Sequence, residues 1–183
     1  MRTRAISDDD MEHVLRLLTY PNEIVCRVCL AHGLRVGDVL CLKTRQIRQS
    51  KITLREQKTG KRRVIQLSDK LRRQILAQSG DVYAFPGRCD GLKHRTRQAV
   101  YKDLKRAAHA LRMGAGVGTH SMRKSAAVRK YKACGDMRQV QRLLNHSDEI
   151  VTALYALAFT VASHRQARSN AEGAERACER SFK

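Results

Sequence analysis

Tryptophan is absent from this chain of 183 residues, and aromatic side chains make up only 4% of it. With 42% hydrophobic residues the chain still has material for a core, which has to be built mostly from Leu, Val, Ile and Ala. Acidic residues are also scarce. Asp and Glu number 17 against 37 Lys and Arg, a formal charge of +20. An excess of that size repels itself unless an anionic partner balances it. Nucleic acid is the first candidate, because its phosphates reward clustered Lys and Arg, and an anionic membrane surface is the second. No apolar run is long enough to span a bilayer, and no signal-peptide pattern opens the sequence, so a soluble, cytoplasmic protein is expected. Repeats and long linkers are missing too, and the length suits one domain with a short tail.

The six cysteines, Cys26, Cys29, Cys41, Cys89, Cys134 and Cys178, are too scattered for a secreted disulfide scaffold. Cys26 and Cys29 have metal-ligand spacing, but no second pair follows at finger-like distance. Buried or surface thiols are therefore expected in place of a zinc site.

Helix signals dominate the pattern. Ser7 reads as an N-cap followed by three Asp and then apolar positions at helical spacing. Pro21 opens a second helix that Gly33 closes, and "LRVGDVLCL" gives a short third. From Lys51 to about Leu67 the period changes to two on either side of a "KTGK" turn, which predicts a hairpin. Ser68 caps a further helix, and "DVYAFPGRCDG" reads as a short extended piece and a loop. A long amphipathic helix from Thr96 to Arg112 ends at Gly114, and it suits either a DNA major groove or plain packing with a charged outer face. Another helix carries His120 and Arg123 and stops at Gly135. Two more follow in "DMRQVQRLLN" and "SDEIVTALYALA", the second capped by Ser147. The fold class expected is mainly α with a small antiparallel β-sheet.

Several residues in this pattern suit phosphate chemistry. A Tyr hydroxyl titrates near about 10 and needs a base before it can attack at neutral pH. His titrates near neutrality and can serve as that base. Arg stays charged, and its planar fork matches phosphate oxygens. Taken singly, Arg35 reads as a surface residue after a helix-ending Gly, and Lys58 as an ordinary charged turn. His120 and His146 read as helix-terminal residues, and Tyr155 as a half-buried core residue with its hydroxyl at the surface.

Their order says more. "GLRVGDVLCL" with Arg35 comes first, then Lys58 in a "KTG" hairpin turn, then "HSMR" with His120 and Arg123, then "LNH" with His146, and Tyr155 nine residues on. From about Ser7 to about Ala158 the chain resembles the catalytic domain of the tyrosine recombinase (phage integrase) family. The resemblance implies that Tyr155 attacks a scissile phosphate and becomes linked to the DNA 3′ end. It implies that Lys58 is the general acid, that Arg35 and Arg123 clamp the phosphate, that His146 donates to it and that His120 is the general base. Asp38 matches a family acid that supports the site through neighbouring groups. The reaction so implied takes no metal and no nucleotide cofactor.

One departure is Asn145, where the family commonly has Gly before the second His. A left-handed helix end is expected there all the same, because Asn tolerates that conformation best after Gly. A second departure is that many relatives carry a separate helical DNA-clamping domain ahead of the catalytic one, which this chain is expected to lack. The domain reading is a catalytic unit over residues 1–160 and a basic tail over 161–183, expected to dock on a neighbouring protomer. The partners implied are double-stranded DNA at a specific site and three further copies in a synaptic homotetramer, with no membrane. Lys93, Arg95, Arg97, Lys102 and Lys124 are candidate DNA contacts. The alternatives are a type IB topoisomerase-like enzyme, a catalytically silent DNA-binding module on the same fold and a basic membrane-surface protein.

Overall fold

In the computed structural model, which describes residues 5–114 and 116–145, helix α1 (Asp8–Arg16) begins where Ser7 turns the chain in. The Ser7 hydroxyl accepts the backbone N–H of Asp10, and Asp8, Asp9 and Asp10 occupy the dipole-favoured first turn. Helix α2 (Tyr20–His32) has Pro21 in its first turn and ends at Gly33 in the left-handed region, with φ at 61°. Helix α3 (Val36–Leu40) follows after Arg35, and a single turn, α4 (Thr44–Ile47), leads into the sheet. Strands β1 (Ile52–Arg55) and β2 (Arg62–Ile65) pair antiparallel, Ile52 opposite Ile65 and Arg55 opposite Arg62. Helix α5 (Asp69–Gln78) is capped by Ser68, α6 (Arg97–Ala110) by Thr96, and α7 (Thr119–Cys134) ends at left-handed Gly135. Helix α8 (Met137–Leu144) starts at Asp136 and ends at Asn145, with φ at 51°. The mainly helical class with one small antiparallel sheet is thus observed among the described residues.

Helix α2 is the central element. Asn22, Ile24, Val25, Cys26, Val28, Cys29 and Leu30 are all buried on it, and it packs against α1, α3, α5 and α7. A helix buried on most of its circumference needs apolar residues almost all round, and "EIVCRVCL" supplies them. Cys26 and Cys29 are therefore core residues. Burial, then the negative charges of Asp103 and Glu23, push the Cys26 thiol up to about 12. The main core holds Phe85 as its one large aromatic and is otherwise aliphatic with Met11 and Met122. A smaller cluster of Ala127, Val140 and Leu144 joins α7 to α8. Two buried polar residues fasten the outer elements. Ser125 exchanges two hydrogen bonds with the backbone of Ile6, and Asp103 accepts from the Thr19 backbone, the Thr19 hydroxyl and the Asn22 amide.

Two features differ from expectation. The α4 turn is too short to carry a periodic signal. Helix α6 ends before Gly114 because the backbone closes itself earlier. Arg112 enters the left-handed region at φ 52°, its N–H reaches the carbonyl of His109, and the N–H of Met113 reaches that of Ala108. An exposed Arg in that conformation carries a steric cost of about 1 kcal/mol that glycine avoids. Arg112→Gly should therefore raise the unfolding free energy by about 1 kcal/mol in urea titration. A loss of stability would mean that the helix does not close there in solution.

Candidate active site

Three segments distant in sequence meet at the C-terminal end of α2. The first is the end itself. A Cβ added to Gly33 would lie 3.1 Å from the Leu143 carbonyl oxygen and 3.2 Å from side-chain carbons of Leu143 and Leu144, so the end of α8 sits directly against it. The second is α7, whose Arg123 is buried and donates from Nη1 to the Gly33 carbonyl at 2.5 Å and from Nη2 to the Leu144 carbonyl at 2.6 Å. One guanidinium thus holds carbonyls that two helix ends leave without intrahelical donors. The third is α8, too short to be stable alone and docked by Val140, Leu144 and this Arg123 contact. Asn145, the residue before His146, takes the left-handed conformation that its type permits.

Arg35 stands two residues beyond Gly33 in extended geometry ahead of α3. Its Nη1 donates to Glu56 Oε2 at 2.7 Å, while Asp38 Oδ2 is 4.0 Å away. Asp38 is buried, and its Oδ1 accepts the backbone N–H of Gln57 at 2.9 Å, which ties α3 to the hairpin turn. Burial pushes the Asp38 carboxyl above its ordinary value. The Gln57 hydrogen bond works against this, the Glu56 charge adds to it, and the charges of Arg35 and Arg123 pull it back.

His120 lies in the first turn of α7, exposed but close to the same cations. Partial desolvation, then the charges of Arg97, Arg123, Arg35 and Lys124, hold its imidazole below the usual value. Arg123, bonded to the Gly33 carbonyl two residues before Arg35, also lies about one helical turn along α7 from His120, so the three belong to one region. Lys58 occupies the exposed turn between β1 and β2, a turn closed by hydrogen bonds from Gly60 N–H to the Glu56 carbonyl and from Glu56 N–H to the Lys61 carbonyl. Its ammonium makes no hydrogen bond or ion pair with a described residue.

The candidate DNA contacts are spread over a loop and two helices. Lys93 pairs with Asp90 at 3.2 Å, and Arg95 is turned inward, its Nε donating to Asn22 at 2.6 Å. Arg97 and Lys102 are exposed on α6, whose inner face buries Val100, Leu104 and Ala107, and Lys124 follows Arg123 on α7. His146 and Tyr155 lie outside the described residues, as do Ser147 and the tail.

Sequence reasoning missed Glu56 and Arg63. The Glu56 side chain is fully buried, and it accepts from Arg35, from the Thr59 hydroxyl at 2.9 Å and from the Asn145 amide at 3.2 Å. Arg63 Nη1 stands 3.7 Å from its Oε1, and Arg63 Nη2 donates to the His32 carbonyl. The signal was in the strand parity. Ile52, Leu54 and Glu56 share one face at period two, and across the ladder Arg63 and Ile65 face the same way. Among the described residues no group of three or more His, Cys, Asp or Glu could hold a metal ion, and no helix is long and apolar enough to cross a membrane.

The model of the phage integrase family matches residues 5–160. The integrase of Escherichia phage P2 is 27% identical over 154 residues, covering 84% of this chain and 43% of that protein. The tyrosine recombinase XerC of Xanthomonas axonopodis pv. citri (strain 306) is 29% identical over 161 residues, covering 80% of this chain and 52% of that one. The chain thus spans about half the length of these curated relatives. A lambda integrase tetramer bound to a Holliday junction superposes with a TM-score of 0.70 at 15% identity, over 85% of this chain and 48% of that one, a likeness of fold.

Arg123→Lys keeps the charge but cannot serve two carbonyls in fixed directions. It should lower the unfolding free energy by about 2 kcal/mol. Equilibrium urea denaturation checks this, and a change within about 0.5 kcal/mol would show that the two carbonyl contacts carry no weight.

Proposed function

Given that the chain belongs to the phage integrase family, we propose that it is a site-specific DNA recombinase that breaks and rejoins strands through a covalent tyrosine intermediate. The observation that carries this reading is the convergence of Arg35, from the turn after α2, with Arg123 and His120, both from α7, in one cationic region. In the proposed reaction the Tyr155 hydroxyl loses its proton to His120, and its oxygen bonds to the scissile phosphorus. The bond from phosphorus to the 5′ oxygen breaks, and Lys58 protonates the departing oxygen. Arg35 and Arg123, with His146, hold the non-bridging oxygens as charge builds on them. A 3′-phosphotyrosyl ester and a free 5′ hydroxyl result, and the ester retains the bond energy, so a new 5′ hydroxyl can reverse the step without metal or nucleotide.

The rest of the reading follows from the same family membership. Residues 1–160 act as the catalytic unit, and 161–183 dock on a neighbouring protomer in a tetramer on two duplexes. Asp38 holds the hairpin turn toward the site. Lys93, Arg97, Lys102 and Lys124 contact DNA phosphates, which fix register and carry no sequence information, while the inward Arg95 braces the loop through Asn22.

The test is incubation with a library of nicked duplexes of randomised sequence, which trap the covalent species when the short strand beyond the cut diffuses away. An adduct that forms with the wild type and is lost in Tyr155→Phe supports the recombinase. Adduct persisting in Tyr155→Phe refutes the nucleophile, and salt-sensitive binding without adduct points to a silent binding module. Joining to a second duplex separates recombinase from topoisomerase.

The pH profile gives a second check. A lowered imidazole pKa keeps His120 neutral at pH 7 and able to accept a proton. At subsaturating DNA, where the rate reports the free enzyme, the acid limb should fall below about pH 6.5. At saturating DNA the bound phosphate favours the charged imidazole, and the limb should move to higher pH. A subsaturating limb above that value, or one unaltered in His120→Asn, would remove His120 as the base.

A further inference from the structure

Glu56 is an ionisable side chain with no exposed surface, placed where the candidate site's separate pieces meet. Its Oε2 takes Arg35 Nη1 at 2.7 Å and the Thr59 hydroxyl at 2.9 Å, and Thr59 is the residue after Lys58. Its Oε1 takes the amide of Asn145, the residue before His146, at 3.2 Å. Arg63 Nη1 lies 3.7 Å from the same oxygen and has no hydrogen-bond partner among the described residues. Glu56 therefore stands between two guanidinium groups that would otherwise repel each other in a poorly hydrated place.

From this geometry we propose that Glu56 is the positioning residue for Arg35, fixing its guanidinium for phosphate binding and tying it to the turn that carries Lys58 and to the helix end that leads into His146. The inference rests on the recombinase reading for its phosphate and on the contacts alone for the fixing of Arg35. Asp38, the acid three residues after Arg35, does not serve as the direct partner, since at 4.0 Å its oxygen is beyond hydrogen-bond distance. The remainder of the Arg35 fork makes no hydrogen bond to a described residue, so one N–H anchors the group while the others stay available for an anion. Burial pushes the Glu56 carboxyl up, and the hydrogen bonds from Thr59, Arg35 and Asn145 more than offset this, so the carboxylate is charged at neutral pH. A glutamine here could accept from Arg35 but would leave Arg63 facing it without a counter-charge.

The experiment compares wild type, Glu56→Gln and Glu56→Gln with Arg63→Met. The readouts are the single-turnover rate of adduct formation at saturating nicked duplex, the DNA Kd, and the ¹⁵N heteronuclear NOE of the Arg35 side chain. In Glu56→Gln the rate per folded molecule should fall about 10- to 100-fold, as expected for a group misplaced by an ångström or so, with Kd within about threefold. The Arg35 NOE should drop. The second substitution removes the opposing cation and should restore at least about a fifth of the wild-type NOE difference and of the rate. A lower folded fraction, with rate per folded molecule and Arg35 NOE unchanged, would overturn the proposal and leave Glu56 a stability residue. If Glu56→Gln does not fold, the double variant carries the comparison, and an Arg35 as rigid as in the wild type would overturn the proposal. If the wild type forms no adduct, the recombinase reading fails, and the Arg35 NOE still decides the positioning.

Discussion

Arg123 is a permanent charge buried in a largely aliphatic body, and the rest of the arrangement depends on how that charge is satisfied. Leaving it unpaired would cost several kcal/mol. The carbonyls of Gly33 and Leu144 answer it, and both come from helix ends where carbonyls lack intrahelical donors. The same contact therefore closes α2, closes α8 and fixes α7 between them. It also explains why Gly33 is glycine, since its left-handed turn and the approach of Leu143 leave no room for a side chain. Arg35 and Asn145 lie one or two residues beyond these anchored ends, so their placement follows from the packing of helices.

A second layer of the same logic surrounds Arg35. The carboxylates of Asp38 and Glu56 stand among Arg35, Arg63 and Arg123, so positive charge is concentrated but not left bare. The partial charges of a helix C-terminus cannot do this alone, being worth about 1 kcal/mol or less at an exposed end. What remains uncompensated is felt by His120, whose protonation is disfavoured first by partial desolvation and then by four neighbouring cations. Such a site favours an incoming anion, which relieves the repulsion among the cations.

Much of this was legible in the chain because the signals are local. Ser7, Ser68 and Thr96 cap helices through their own hydroxyls, and Gly33 and Gly135 end helices because left-handed geometry suits them. Asn145 could be read as a substitute for glycine on conformational grounds, and it adopts that geometry. The order of Arg35, Lys58, His120 and Arg123 pointed to one site; His120 and Arg123 share one helical spacing, and their meeting with Arg35 is the tertiary fact that no spacing contains. Glu56 was missed because a Glu beside a turn rich in Lys and Arg reads as a solvated charge. Only the inward parity of Ile52 and Leu54, extended one step past the end of the strand, betrays it. Arg112 was missed as a helix end because an Arg in left-handed geometry contradicts its own preference. The tertiary reach of Arg95 to Asn22, across 73 residues, has no local trace at all.

The most direct measurement asks whether Arg35 and Arg123 hold the same scissile phosphate. Replacing one non-bridging oxygen of that phosphate by a methyl group removes the negative charge that a guanidinium would stabilise. If both groups act there, Arg35→Ala and Arg123→Ala should each lose adduct formation about a hundredfold or more on the ordinary duplex. On the methylphosphonate duplex each should lose far less. Equal fractional losses on the two substrates would contradict a shared phosphate and leave the two arginines as parts of the scaffold alone.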